Sequence, residues 1–196
     1  MRLFRTALQL FAERGFQNVT VEDITEAADV GKGTFFNYFE SKEHVLGVMA
    51  ELQLGHVAEA VEAASRLKNR SVRSILHHLF LQLAGEVGRS SAFARTVMAS
   101  FLASDVVRGV VQQRMLTGRK ALAGVFAEGQ ARGEIDAALD RGAAALQMQQ
   151  ILLGTVLLWS LYGEPDLKEC IENSFRLFWR SIAAQNRERK SWQRKS

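Results

Sequence analysis

Thr20-Val21-Glu22-Asp23-Ile24-Thr25-Glu26-Ala27-Ala28-Asp29-Val30-Gly31-Lys32-Gly33-Thr34-Phe35-Phe36-Asn37-Tyr38-Phe39 is the stretch that decides the fold. Thr20 can cap the free amides of a helix, and Asp23 brings a carboxylate into that helix's positive first turn. Ile24, Ala27 and Ala28 give it an inward face. Asp29-Val30-Gly31 breaks the pattern, which restarts at Lys32 with Phe35 and Phe39 four residues apart on one side. The reading is two short helices joined by a tight turn. In a helix-turn-helix the second helix enters the major groove, so its outward side chains must be polar, flat or small. Lys32, Thr34, Asn37 and Tyr38 offer donors outward, and Gly33 lets the backbone come close.

Upstream, Leu3, Ala7, Leu10 and Phe11 recur at helical spacing, Leu8 widens the stripe, and Gly15 stands where a left-handed residue ends a helix. Downstream, Ser41-Lys42-Glu43-His44 begins with a cap, and the following run predicts one long helix to about Leu67. Further helices are expected over 71–87, 91–103, 105–131, 137–162 and 167–188, set off by Gly88, Ser104, Gly133 and the Gly163-Glu164-Pro165-Asp166 turn. Pro165 is the only proline, and long stretches lack glycine, so the class is all-α. The expected organisation is a DNA-binding unit over 1–46, a ligand-binding and dimerisation unit over 47–188, and a basic tail over 189–196. No flexible linker separates the first two.

Leu10-Phe11-Ala12-Glu13-Arg14-Gly15-Phe16, Thr20 to Ile24, Val30 to Phe35 and Tyr38 to Glu43 follow one another in an order and spacing that resemble the DNA-binding domain of the TetR family. That resemblance implies a nine-helix subunit, homodimers on palindromic double-stranded operator DNA, and release, usually of a repressor, by a small-molecule effector. It implies that the last two helices pair across the dimer. By position, Lys32, Gly33 and Thr34 open the recognition helix, Phe36, Asn37 and Tyr38 lie on its DNA side, and Thr20 and Lys42 hold phosphates. Lys32 is the foremost choice for a guanine contact. Three positions depart from the pattern: Asp29 replaces a common Gly, Phe36 replaces a common Tyr, and a basic N-terminal arm is nearly absent, as a truncated start would leave it.

In the C-terminal unit, Phe80, Met98, Phe101, Phe126, Met148 and Trp159 are the bulky apolar residues chosen as lining for a ligand cavity; each suits an ordinary core equally. The segment 143–162 is apolar nearly all round, and Ile171, Phe175, Phe178 and Ile182 mark one face of the last helix. With Gly154 and Leu158 they form the expected dimer interface, a four-helix arrangement between two copies. Completion of a monomer core is the other reading of that stripe.

The chain carries 25 cations against 21 anions, but residues 1–45 hold five cations against seven anions. Net charge therefore says little about DNA; what counts is which charges face the phosphates, and Glu22, Asp23 and Glu26 can point away. No catalytic motif, phosphate loop or metal-ligand pair occurs, so no enzyme activity, metal or cofactor is expected. His77 and His78 are neighbours and lack the spacing of a helical metal pair. A lone Cys170 suits a reducing cytoplasm. The longest apolar run, Ile151 to Tyr162, falls short of the roughly 20 residues that span a bilayer, so no membrane partner is expected. The alternative function is a helical ligand carrier or interaction module that has lost DNA binding.

Overall fold

The computed structural model describes residues 2–67, 69–88 and 90–184. Among them run nine α-helices: α1 Arg2–Arg14, α2 Val21–Ala27, α3 Lys32–Phe36, α4 Lys42–Arg66, α5 Val72–Val87, α6 Ser91–Ala103, α7 Asp105–Ala131, α8 Arg141–Tyr162 and α9 Leu167–Ile182. A single 3-10 turn, Phe16–Asn18, joins α1 to α2. The basic tail expected over 189–196 lies outside the described residues.

Side-chain caps account for where the helices begin. Thr20 and Asp23 form a reciprocal capping box at α2, and Ser41, Ser71, Ser90, Ser104, Asp140 and Asp166 each accept a backbone amide in the first turn of α4 to α9. Gly15, at φ 81°, turns the chain out of α1 in the left-handed region expected for it. Two boundaries differ from the sequence expectation. α8 starts at Arg141 because Asp140 is its cap, and the preceding segment, 136–140, is non-helical, with the carbonyls of Asp136, Ala137 and Leu139 accepting from Gln130 Nε2. α9 stops at Ile182 because Ala183 is extended and pairs with Ile135 in an isolated antiparallel bridge.

The N-terminal core gathers Leu3, Ala7, Phe11, Phe16, Ile24, Phe35 and Phe39, all buried. The C-terminal core centres on rings from three helices: Phe80 lies 5.2 Å from Phe175 and 5.9 Å from Phe178, and Phe126 lies 6.3 Å from Phe178. At Gly129, a Cβ would stand 2.4 Å from the Ile135 side chain, so α7 needs a glycine where the chain folds back onto it. His77 of α5 and Glu172 of α9 close this end with a 2.6 Å contact.

This packing corrects two expectations. Phe80, Phe126 and Met148 are core residues at 0 to 1% exposure, and none of them lines the cavity described below. Ile171, Phe175, Phe178 and Ile182 are likewise buried inside the protomer, because an amphipathic helix first covers its own core with its one apolar face. On α8 and α9 the exposed leucines are Leu157, Leu158 and Leu161 of α8 and Leu177 of α9, with Leu158 at 57% and Leu177 at 66% exposure. Gly154 has open space where a side chain would stand. By length and composition Arg141–Tyr162 would suffice to cross a membrane, contrary to the shorter run read from sequence; it packs here against α6, α7 and α9.

Candidate functional site

The second helix of the helix-turn-helix is short, and its residues divide cleanly. Phe35 and Phe39 are buried, with ring centroids 5.3 Å apart, and Phe39 stacks on Phe4 of α1 at 6.3 Å. These anchors hold α3 so that Lys32, Gly33, Phe36, Asn37 and Tyr38 face outward, Phe36 at 55% and Tyr38 at 69% exposure. Thr34 is half-buried. Nothing stands within 4 Å of a Cβ built on Gly31 or Gly33, so the start of α3 offers bare backbone to an approaching molecule. Asp29 has φ 52°, which explains why glycine suits this position and why the short polar Asp is tolerated.

Three expected contacts take on internal partners. Lys32 Nζ is ion-paired with Glu22 of α2. Glu22 therefore faces α3 rather than pointing away, and the lysine holds its carboxyl below the usual value. Thr20 donates its hydroxyl to Asp23 Oδ2 at 2.6 Å and its amide to the same oxygen at 2.7 Å, which lowers the Asp23 carboxyl, with Arg14 adding its charge. Lys42 Nζ donates to the carbonyls of Phe16, Gln17 and Val19 at 3.1, 3.4 and 3.0 Å and lies 4.8 Å over the Phe16 ring. An ammonium has three donors, so this lysine is occupied in fastening the 3-10 turn to α4. The phosphate contact expected of it would have to draw the ammonium away from these carbonyls.

A cavity of about 150 Å³ opens between the helices of the C-terminal unit. α4 contributes Leu46, Met49, Leu54 and Val57; α5 Leu83 and Val87; α6 Met98 and Phe101; α7 Val111, Met115 and Leu122; α8 Leu152 and Val156. Of the residues chosen from sequence, Met98 and Phe101 line it, whereas Trp159, like the three core residues above, does not. Its polar wall consists of Arg114 and Gln149. The α4 residues were detectable as a helical stripe; Arg114 and Gln149 stand far apart in sequence and carry no local signal.

α4 joins the two regions. Its cap, Ser41, lies two residues past Phe39, and its next turns form one wall of the cavity. α6 makes a second link: Met98 and Phe101 face the cavity, while Thr96, Ala99 and Ser100 face Phe16 and Asn18 across a second pocket. Cys170 offers no activated nucleophile, since burial, Glu169 and Asp166 all push its thiol up.

Residues 3–49 match the family model for bacterial regulatory proteins of the tetR family. Over 41 residues the chain is 54% identical to the HTH-type transcriptional repressor DhaR of Mycobacterium sp. (strain GP1), a match that spans 21% of each protein. The transcriptional regulator AcuR of Cereibacter sphaeroides is 27% identical over 170 residues, 84% of this chain and 77% of its own. In three dimensions, SmeT, the repressor of the Stenotrophomonas maltophilia multidrug efflux pump SmeDEF, aligns with a TM-score of 0.74 and 18% identity over 94% of this chain and 90% of that chain. That likeness extends the shared fold through all the helices.

Proposed function

We propose that this chain, a transcriptional regulator that belongs to the TetR family, is a repressor that binds palindromic operator DNA as a homodimer and lets go when a small molecule fills the cavity. The observation that carries this reading is α4, a single helix of 25 residues that starts beside α3 and lines the cavity from Leu46 to Val57. A ligand that prefers one position of that helix shifts the spacing of two recognition helices in a dimer, and spacing decides whether both reach successive major grooves. For the dimer, the exposed Leu157, Leu158 and Leu161 of α8 with Leu177 of α9 supply the surface that two copies would share. For base contact, Lys32, Asn37 and Tyr38 supply donors, with Lys32 leaving Glu22 as it meets the DNA.

The internal engagement of Lys32 and Lys42 favours a second reading, a helical ligand carrier whose helix-turn-helix no longer binds DNA. Gel-shift titration of genomic promoter fragments separates the two. A repressor retards particular fragments at nanomolar to micromolar protein and represses a reporter placed behind them. Absence of any preferred fragment supports the carrier.

A further inference from the structure

The cavity wall is apolar except at Arg114 of α7 and Gln149 of α8, and Arg114 is the single charged group in it among the described residues. Gln149 is already held, its oxygen accepting from Arg119 Nε at 3.0 Å and its nitrogen donating to the Met115 carbonyl at 2.8 Å. Arg114 Nη2 meets Glu51 Oε1 of α4 at 2.5 Å, with side-chain exposures of 39% and 50%. The guanidinium thus borders both the cavity and solvent. Glu51 is not part of the wall.

We propose that the effector is an amphiphile with one anionic head, carboxylate being the simplest, whose apolar body fills the cavity and whose head takes Arg114 from Glu51. This rests on the reading of the cavity as the effector site. A guanidinium binds a carboxylate through a planar, two-pronged contact, and an exposed ion pair is a weak competitor because water already screens it. A neutral head gains no such contact. A cationic head meets Arg114 with like charge and finds no acid in the wall. The Glu51–Arg114 pair also ties α4, the helix that leads from the DNA-binding unit, to α7. When the ligand's head replaces Glu51, that tie is lost and the freed carboxylate repels the arriving anion, so occupancy itself loosens α4.

The test is calorimetry on the full chain with three probes of equal tail length, decanoate, decanol and decyltrimethylammonium, below their micelle concentrations. Decanoate is expected to bind tightest. Arg114→Gln weakens it about tenfold, the size of one charged hydrogen-bonded contact. Glu51→Gln strengthens it, since the internal competitor is gone, and, lying outside the wall, leaves decanol binding unchanged. Should Arg114→Gln fail to fold by thermal melting, Glu51→Gln decides. No decanoate binding, equal affinity for decanoate and decanol, or an unchanged decanoate affinity in Glu51→Gln and folded Arg114→Gln overturns the proposal. These measurements contain no DNA, so a chain that binds decanoate as expected yet selects no operator refutes the repressor reading and not the ligand class.

Discussion

The Lys42 ammonium at the start of α4 donates to the Val19 carbonyl at 3.0 Å and the Phe16 carbonyl at 3.1 Å while lying over the Phe16 ring. It ties the segment between α1 and α2 to the helix that enters the C-terminal unit. Lys42→Ala is expected to lower the stability of the N-terminal unit by about 1 to 2 kcal/mol, as charged hydrogen bonds in a partly exposed setting do. DNA affinity should then fall on all sequences with the salt slope kept. A phosphate contact would instead reduce that slope by about one unit. Thermal melts and salt titrations distinguish the two.

Glu22 occupies Lys32, so removing the carboxylate should release a cation on the face of α3 proposed to meet DNA. Glu22→Gln is expected to raise affinity for any duplex and to steepen the salt dependence by about one counterion. Anisotropy titrations on specific and scrambled duplexes at several salt concentrations measure this. An unchanged slope would mean that the ion pair has no bearing on DNA.

The Thr20–Asp23 box predicts a stability effect with a definite pH sign. Asp23 is held below its ordinary value of 3.8, so its contribution is fully present above that value and is lost as pH falls through the depressed one. Asp23→Asn should therefore flatten the acid limb of the stability curve and leave its slope near neutrality unchanged. Thr20→Ala, which removes the cap itself, should cost about 1 kcal/mol at neutral pH. Denaturant melts across the acid range read both effects.

Phe178 and Leu158 should separate folding from assembly. Phe178 is 2% exposed against Phe80 and Phe126, and its truncation to Ala is expected to cost about 3 to 5 kcal/mol of protomer stability. Leu158→Glu, on the outer face of α8, should leave the helical signal intact and shift sedimentation toward the monomer. Dimers unaffected by Leu158→Glu would place the interface elsewhere.

Local chemistry made much of this fold legible. Thr20 and Ser41 cap the helices expected of them, and Phe35 and Phe39, four residues apart, are the buried anchors of α3. The failures share a physical cause. One apolar stripe at Ile171, Phe175, Phe178 and Ile182 can cover a protomer's own core or a partner, and periodicity does not distinguish them. Large side chains such as Phe80 and Phe126 fill cores and line cavities alike. The internal bonds of Lys42 reach back more than 20 residues, and Arg114 meets Glu51 across 63, so neither pairing left a local trace in the chain.

Selection of duplexes from a random library by the full chain, compared with Lys32→Ala and Tyr38→Ala, tests most directly whether α3 reads DNA. The account predicts one recurrent inverted repeat, half-sites about one helical turn or slightly more apart, with preference relaxed within each half-site for both variants. Enrichment of no sequence, or of the same sequence with equal strength in wild type and both variants, would contradict it.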